Sequence, residues 1–166
     1  MNMKFLIKLA LSDTLCSSLQ RAKIYVDGVT DNQKQQFKET FKTKLSRIEP
    51  AYAKTVDDET HVQKIQSFAT SLSQQFQDMF RDQHVKIGVA QKGVNLFLKY
   101  LWSLDRIPEP PHCPIDAIVL RAIRYDAKWT QLDSVEIYTN IIDACRQTAG
   151  TQSLSQWELE LWNREA

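Results

Sequence analysis

The sequence predicts an all-α fold, and three observations lead to that prediction. Apolar residues recur at spacings of three and four along most of the chain, which is the period of an amphipathic helix. The 166 residues include only 4 glycines and 5 prolines, too few for a fold built on many tight turns. Strand-like patterning is confined to the short segment 23–26. We therefore expect one compact domain over residues 1–166, with about six to eight helices.

The first half of the chain contains two amphipathic patterns. One begins after Asp31, which can cap a helix, and stops at Pro50. Its apolar members are Phe37, Phe41, Leu45 and Ile48. A longer pattern follows the acidic run 57–59, whose carboxylates favour the positive end of a helix dipole. Its apolar members are Ile65, Phe68, Ala69, Leu72, Phe76, Met79 and Phe80.

The second half predicts four more helices. Segment 94–102 is apolar on most sides, so we expect it to be buried at the centre of the fold. Segment 107–114 contains four of the five prolines and cannot continue a helix. The helical period then restarts over 115–123 and again over 135–145. A last helix opens at Ser153, which forms a capping-box pattern with Gln156.

Cysteine usage and the N-terminus indicate where the protein works. No two of the three cysteines stand at CxxC spacing, so neither a disulfide framework nor a zinc or iron–sulfur site is predicted. Lys8 interrupts the apolar N-terminal stretch and Asp13 follows it, so we expect no signal peptide. No run of about 18 apolar residues occurs, which predicts no membrane span. We expect a cytoplasmic protein with reduced thiols.

Composition excludes a disordered chain, since 43% of the residues are hydrophobic and the net charge is only +1. Such a balanced charge argues against a nucleic-acid binder. It hides an asymmetry, however. The first 50 residues hold nine Lys or Arg against five Asp or Glu, and the last sixteen carry a net charge of −2. Either a contact with a phosphate backbone or a solvated helix face accounts for this distribution.

The segment 88–121 departs from a simple helical bundle. A glycine turn that leads into a helix presents backbone N–H groups suited to a phosphate. Lys92 lies near that helix start, where burial and the dipole would favour the neutral, nucleophilic amine. Asp116 follows Pro114 at the start of the next helix, where a carboxylate is stabilised. If the two helix starts face each other, the pair suits Schiff-base chemistry at a sugar. The candidate phosphate-binding residues are Gly88, Val89, Ala90 and Gln91.

These residues resemble the helix-hairpin-helix (HhH-GPD) DNA glycosylases and abasic-site lyases, especially the 8-oxoguanine glycosylase branch. In that branch a Gly-Val-Gly-x-Lys hairpin precedes a buried helix, a loop and a Pro-Val-Asp element. Segments 88–92 and 114–116 match those two elements here, although Ala90 replaces the second glycine. The resemblance implies that Lys92 attacks the deoxyribose C1′ and that Asp116 assists, without a metal or cofactor. It also implies a flipped, damaged base stacked on aromatic side chains. The candidates for that stacking are Phe97, Trp102 and Trp129.

Simpler interpretations stay open. Lys92 can be a solvated lysine, and Asp116 a residue favoured only by its helix start. Trp157 and Trp162 are either packing anchors or an aromatic patch for a partner. Besides the DNA enzyme, the alternatives are a non-catalytic helical adaptor that binds a protein partner or a second copy, and a DNA binder without chemistry. The catalytic interpretation requires the Lys92 amine and the Asp116 carboxylate to face one cleft, with the Gly88 turn at its rim.

The histidines do not suggest a metal or nucleophilic site. His61 and His84 are isolated in the sequence, so we expect neither to bind a metal. His112 and Cys113 are sequence neighbours, and side chains at such positions rarely face each other as a dyad requires.

Overall fold

The computed structural model describes residues 2–165, and over that range the chain is all-α. The predicted fold class is confirmed, and the described residues form seven α-helices. In chain order these are α1 (Met3–Leu19), α2 (Asp31–Ser46), α3 (Asp58–Phe76), α4 (Ile87–Ser103), α5 (Ala117–Ala122), α6 (Val135–Ala149) and α7 (Leu154–Glu165). Short 3-10 helices occupy Glu49–Tyr52, Gln77–Met79 and Trp129–Gln131.

Helix α4 is the centre of the fold, as its apolar sequence predicts. Residues 88–98 are all buried, and α4 packs chiefly against α1 and α3. Close packing depends on Gly93, where a Cβ would lie 2.7 Å from Phe41 Cζ and 3.5 Å from Ser18 Oγ. Glycine therefore lets α2 and α1 approach α4 more closely than any larger residue would allow.

Helix α1 has no counterpart in the sequence prediction. Its apolar residues do not form one clear stripe, because Phe5 and Leu9 are 57% and 51% exposed whereas Ala10 and Leu15 are buried. The Asn2 side chain caps its start by accepting a hydrogen bond from Phe5 N. Contact with α4 stabilises the rest of the helix, a tertiary effect that periodicity within α1 does not reveal.

Helix α2 begins where predicted, but Thr30 rather than Asp31 is its cap. The Thr30 hydroxyl accepts a hydrogen bond from Gln33 N at 3.2 Å, and Gln33 Oε1 accepts one from Thr30 N at 2.9 Å. This reciprocal pair is a capping box. The apolar face of α2 then joins an aromatic cluster, in which the Phe37 ring meets Phe76 and Phe80 edge to face.

The strand-like segment 23–26 forms no strand within residues 2–165. Tyr25 makes one isolated antiparallel bridge with Phe80, supported by hydrogen bonds from Val26 N to Met79 O and from Arg81 N to Ile24 O. Its β-type residues therefore attach the α1–α2 connection to the segment after α3 without forming a sheet.

The proline-rich segment is irregular, as predicted, and it connects α4 to α5. It ends at Asp116, the N-cap of α5. Two helices complete the fold, and α7 packs against both α5 and α6. No helix among the described residues is long and apolar enough to cross a membrane.

Candidate functional site

Lys92 and Asp116, 24 positions apart in the chain, are in direct contact. Lys92 Nζ lies 2.8 Å from Asp116 Oδ2, and the two side chains are only 9% and 16% exposed. The other oxygen of Asp116, Oδ1, accepts hydrogen bonds from Ile118 N at 3.0 Å and Val119 N at 3.1 Å. One carboxylate therefore caps α5 and pairs with the amine of α4 at the same time.

Gln91 explains why the two residues meet. Its Oε1 accepts a hydrogen bond from Ile115 N at 3.0 Å, and its Nε2 donates to Ile115 O at 2.7 Å. This two-way contact attaches the end of the proline-rich segment to α4, next to Lys92 in the chain. The side chain of the following residue, Asp116, is thereby held beside the amine.

The ion pair forms part of the wall of an open cleft between α1, α4 and α7. Its main cavity has a volume of about 460 Å³. Besides Lys92 and Asp116, the cavity wall includes Asp13, Ser17, Leu96, Lys99, Glu158 and Trp162. A smaller adjoining cavity of about 240 Å³ shares Lys92 and Asp116 and extends towards Arg21 and Trp129. We call this space, with its two cavities, the lysine cleft.

A second ion pair lies in the lysine cleft. Lys99 Nζ is 2.7 Å from Glu158 Oε2 on α7, with the two side chains 12% and 4% exposed. Lys99 follows Lys92 by seven residues, so the two amines share one face of α4 about 10 Å apart along its axis. Burial raises the pKa of Glu158, while the charge of Lys99 opposes the increase. Lys99 Nζ also lies 5.4 Å from the centre of the Trp162 ring.

The start of α4 does not present the free N–H groups that the glycine turn predicts. Gly88 N donates to Leu132 O at 2.7 Å, and Val89 N and Ala90 N both donate to Lys86 O at 3.1 Å. A Cβ on Gly88 would lie only 1.8 Å from Trp129 O. The 3-10 helix Trp129–Gln131 thus covers this turn.

The predicted phosphate role of residues 88–91 is therefore wrong in its geometry. All four residues are buried, and the side chain of Gln91 holds the proline-rich segment rather than an anion. Glycine is needed at position 88 because the backbone of Trp129 packs closely against it. In the sequence, a glycine kept for such packing cannot be told apart from a glycine of a ligand-binding turn.

The three predicted stacking residues do not form one pocket. Phe97 is 1% exposed and belongs to the hydrophobic core, so the expectation that it stacks on a base is wrong. Trp102 is half-buried and packs against the same core. Trp129 borders the smaller cavity of the cleft. Trp162, 47% exposed, borders both cavities, whereas Trp157 packs against the core.

The histidines belong to other surroundings. His61 and His112 are buried next to each other, with ring centres 4.6 Å apart. His84 lies at the surface, where its Nε2 is 2.6 Å from Asp133 Oδ2. Cys113 is buried, and a hydrogen bond with Cys145 together with burial raises the pKa of its thiol. No group of three or more potential metal ligands is found among residues 2–165.

Sequence reasoning singled out Lys92 and Asp116, named Trp162 only as a packing anchor or partner patch, and missed Lys99 and Glu158. The spacing of Lys92, Leu96, Lys99 and Ser103 is a helical stripe, and all four border the main cavity. That stripe was the available signal, since two lysines in an apolar helix require partners. Nothing in the sequence indicates that α7 supplies Glu158 and Trp162.

Comparisons of the chain with protein-family models, with curated proteins and with solved structures give no match. The chemistry of the lysine cleft is therefore the basis on which a function can be argued.

Proposed function

We propose that the lysine cleft performs abasic-site lyase chemistry on DNA, with Lys92 as the nucleophile and Asp116 as its proton acceptor. The observation that carries the proposal is the contact of 2.8 Å between Lys92 Nζ and Asp116 Oδ2 at the wall of an open cleft. An amine beside a carboxylate is the minimum equipment for forming an imine with an aldehyde. The aldehyde form of an abasic deoxyribose is such a substrate.

The proton balance of this step needs only the two side chains and the sugar. Asp116 takes a proton from the Lys92 ammonium, and the free amine attacks C1′ of the ring-opened sugar to form a carbinolamine. Asp116 then returns the proton to the carbinolamine hydroxyl, which leaves as water. The product is a protonated imine between Lys92 and C1′, with the Asp116 carboxylate restored beside the positive charge.

The size and lining of the cleft support a sugar as the substrate. The main cavity, about 460 Å³, falls within the range of about 300–1,000 Å³ typical of small-ligand sites. Its hydrogen-bonding groups include Asp13, Ser17 and Glu158, and the Trp162 ring offers an apolar wall. Arg21 borders the adjoining cavity and would meet a DNA phosphate, a role that the covered start of α4 cannot fill.

The proposal is limited to the lyase step. Excision of a damaged base requires an aromatic pocket for the flipped base, and Phe97 lies in the core instead. An abasic site carries no base, so it needs no such pocket.

Borohydride trapping tests the proposal directly. We expect the protein and a DNA duplex with one abasic site to give a covalent adduct when borohydride is present, because the reduced imine is stable. Mass mapping should place the adduct on Lys92. Lys92→Arg keeps a cation beside Asp116 but has no nucleophilic amine, so it should give no adduct. Asp116→Asn should slow adduct formation by about 100-fold, because the proton acceptor is lost.

Lys86→Arg is the matched control, because Lys86 is the N-cap of the same helix and lies outside the cleft. It should form the adduct at the rate of the unaltered protein. Absence of an adduct on abasic DNA, or an adduct that persists in Lys92→Arg, would overturn the proposal.

A further inference from the structure

A second cavity lies on the side of α4 away from the lysine cleft. It is an open groove between α2 and α3 with a volume of about 620 Å³. Val94 of α4 forms part of its floor. Since successive helical residues are about 100° apart, Val94 points roughly opposite to Lys92. The groove and the lysine cleft are therefore separate sites.

Three cations border this groove without acidic partners. Lys44 and Arg47 come from the end of α2, and Lys64 comes from α3 on the facing side. Among residues 2–165, none of the three has a carboxylate within ion-pair distance. No Asp or Glu is among the residues that line the groove. The lining itself thus carries three positive charges and no negative one, and Asp57, outside the lining, accepts a hydrogen bond from the Thr60 hydroxyl at 2.8 Å.

The cations of the groove differ from the lysines of the lysine cleft. Both lysines of the lysine cleft, Lys92 and Lys99, pair with carboxylates at 2.8 and 2.7 Å. On α2 itself, Lys42 has an acidic neighbour, Glu39 at 3.4 Å. The net charge of +4 in the first 50 residues includes two cations, Lys44 and Arg47, that border one concave surface.

The remaining walls combine hydroxyl groups with an apolar floor. Thr60, Ser67 and Ser71 follow one face of α3 at helical spacing and border the groove. Phe68 and Val94 are buried beneath them. The Thr60 hydroxyl donates to Asp57 Oδ2 at 2.8 Å and the Ser71 hydroxyl to Phe68 O at 3.0 Å. The Ser67 hydroxyl and the three cations remain as donors for phosphate oxygens, and the apolar floor suits a ligand with a flat or apolar body.

We propose that the groove between α2 and α3 binds a phosphate-bearing ligand of nucleotide size. The phosphate lies between Lys64 and the Lys44–Arg47 pair, where its charge of about −2 at neutral pH meets cations from both walls. The rest of the ligand lies over Phe68 and Val94. Carboxylate ligands carry less charge per group and match three cations less well.

Calorimetric titration with adenosine monophosphate tests this inference. We expect AMP to bind more tightly than orthophosphate, which lacks the apolar contact, and adenosine, which lacks the charge, to bind weakest. Arg47→Gln and Lys64→Gln should each weaken AMP binding by about tenfold. Lys64→Glu should weaken it further, and raising the salt concentration should reduce the affinity of the unaltered protein.

Lys128→Gln is the control. Lys128 is exposed and lies outside the groove, and the substitution removes the same charge as Lys64→Gln. It should leave AMP affinity within about twofold of the unaltered value, since distant surface charges are screened. Circular dichroism of each variant checks that the fold is kept. Lys92→Arg should also leave AMP binding unchanged, so this inference and the lyase proposal can fail independently.

Three results would overturn the inference. One is no heat of AMP binding at millimolar concentration. Another is equal weakening by Lys128→Gln and Arg47→Gln, which would indicate a response to net charge alone. The third is tighter binding of a glutamate-rich peptide than of AMP, which would assign the groove to an acidic protein segment.

Discussion

Two neighbouring stripes of polar side chains on α4 differ in their access to solvent. Gln91 and Asn95 face a closed network and are both 0% exposed. Lys92 and Lys99 face the lysine cleft, where each has one carboxylate partner and access to solvent. Both stripes are polar residues in an apolar helix, and the sequence alone does not distinguish them.

The closed network is a set of buried hydrogen bonds centred on the side-chain amide of Asn95. It joins α4 to α3, to α6, to the proline-rich segment and to the 3-10 helix Glu49–Tyr52. Asn95 Oδ1 lies 2.8 Å from His61 Nε2, and Asn95 Nδ2 lies 3.0 Å from Tyr138 OH and 3.1 Å from Cys113 O. His61 Nδ1 is in turn 2.7 Å from Tyr52 OH. The polar groups in this network satisfy one another, so they have a structural role. In the lysine cleft the ion-paired side chains line a cavity that a ligand can enter. This access distinguishes a candidate functional site from a purely structural network.

The largest effect should come from cutting the closed network. Asn95→Leu removes every hydrogen bond of that amide. It leaves His61 Nε2 and Cys113 O without their buried partner, although His61 Nδ1 keeps Tyr52 OH and Tyr138 OH keeps His112 Nδ1. We expect the free energy of unfolding to fall by about 3–5 kcal/mol, measured by urea denaturation. Asn140→Leu is the matched control, because Asn140 is exposed on α6, and it should change stability by about 0.5 kcal/mol or less. Similar losses in both variants would contradict the structural role of the network.

The buried histidines should make the stability of the protein depend on pH. Burial lowers the pKa of His61 to about 4, and burial with the neighbouring His61 lowers the pKa of His112 to about 3. Below the unfolded value of about 6.5 the unfolded chain therefore binds protons that the folded chain does not. Stability should be fully present above pH 6.5 and decline as pH falls towards 4, by about 2–3 kcal/mol for each histidine at pH 4.5.

Ring resonances in NMR provide the direct measurement. A hydrogen bond from His84 to Asp133 raises the pKa of His84, so that ring should titrate above its ordinary value. His61 and His112 should stay neutral at pH 5. Titration of either buried ring near 6.5 would show that the network is open to solvent.

A smaller effect should separate the two ion pairs of the lysine cleft. Lys99→Met leaves Glu158, which is 3% exposed, without a cation, and we expect a loss of about 3 kcal/mol at pH 7. The loss should be smaller at pH 5 than at pH 7, because burial raises the pKa of Glu158 and the neutral form gains population as the pH falls. Lys92→Met should cost less than Lys99→Met, because the Asp116 side chain keeps 16% exposure and still accepts hydrogen bonds from Ile118 N and Val119 N.

Thermal and urea unfolding of the two variants at both pH values checks this difference. Equal losses at pH 7, or a Lys99→Met deficit that persists at pH 5, would show that the two carboxylates have the same surroundings. Asp116, which caps a helix, and Glu158, which is buried, would then depend equally on their lysine partners.

Local pattern was enough for the parts of the fold in which each helix carries its own signal. The apolar run of α4 predicted a central buried helix, and α4 is buried over residues 88–98. The prolines of segment 107–114 predicted the break before α5. The position of two helix starts also selected Lys92 and Asp116, which are in contact at 2.8 Å in one cleft, although the Gly88 turn that was expected at its rim is buried against Trp129. Their role in catalysis stays a prediction.

The sequence by itself determined the all-α class, the helix periods and the presence of lysines in an apolar helix, because these depend on residues close together in the chain. Tertiary structure alone decided that Trp129 covers the Gly88 turn, that α1 is a helix packed on α4, and that Glu158 and Trp162 complete the cleft. These contacts join residues distant in the chain. These contacts depend on how the helices pack, and the hydrophobic effect that drives the packing is non-directional. A local sequence pattern therefore does not specify which partner a buried group will contact.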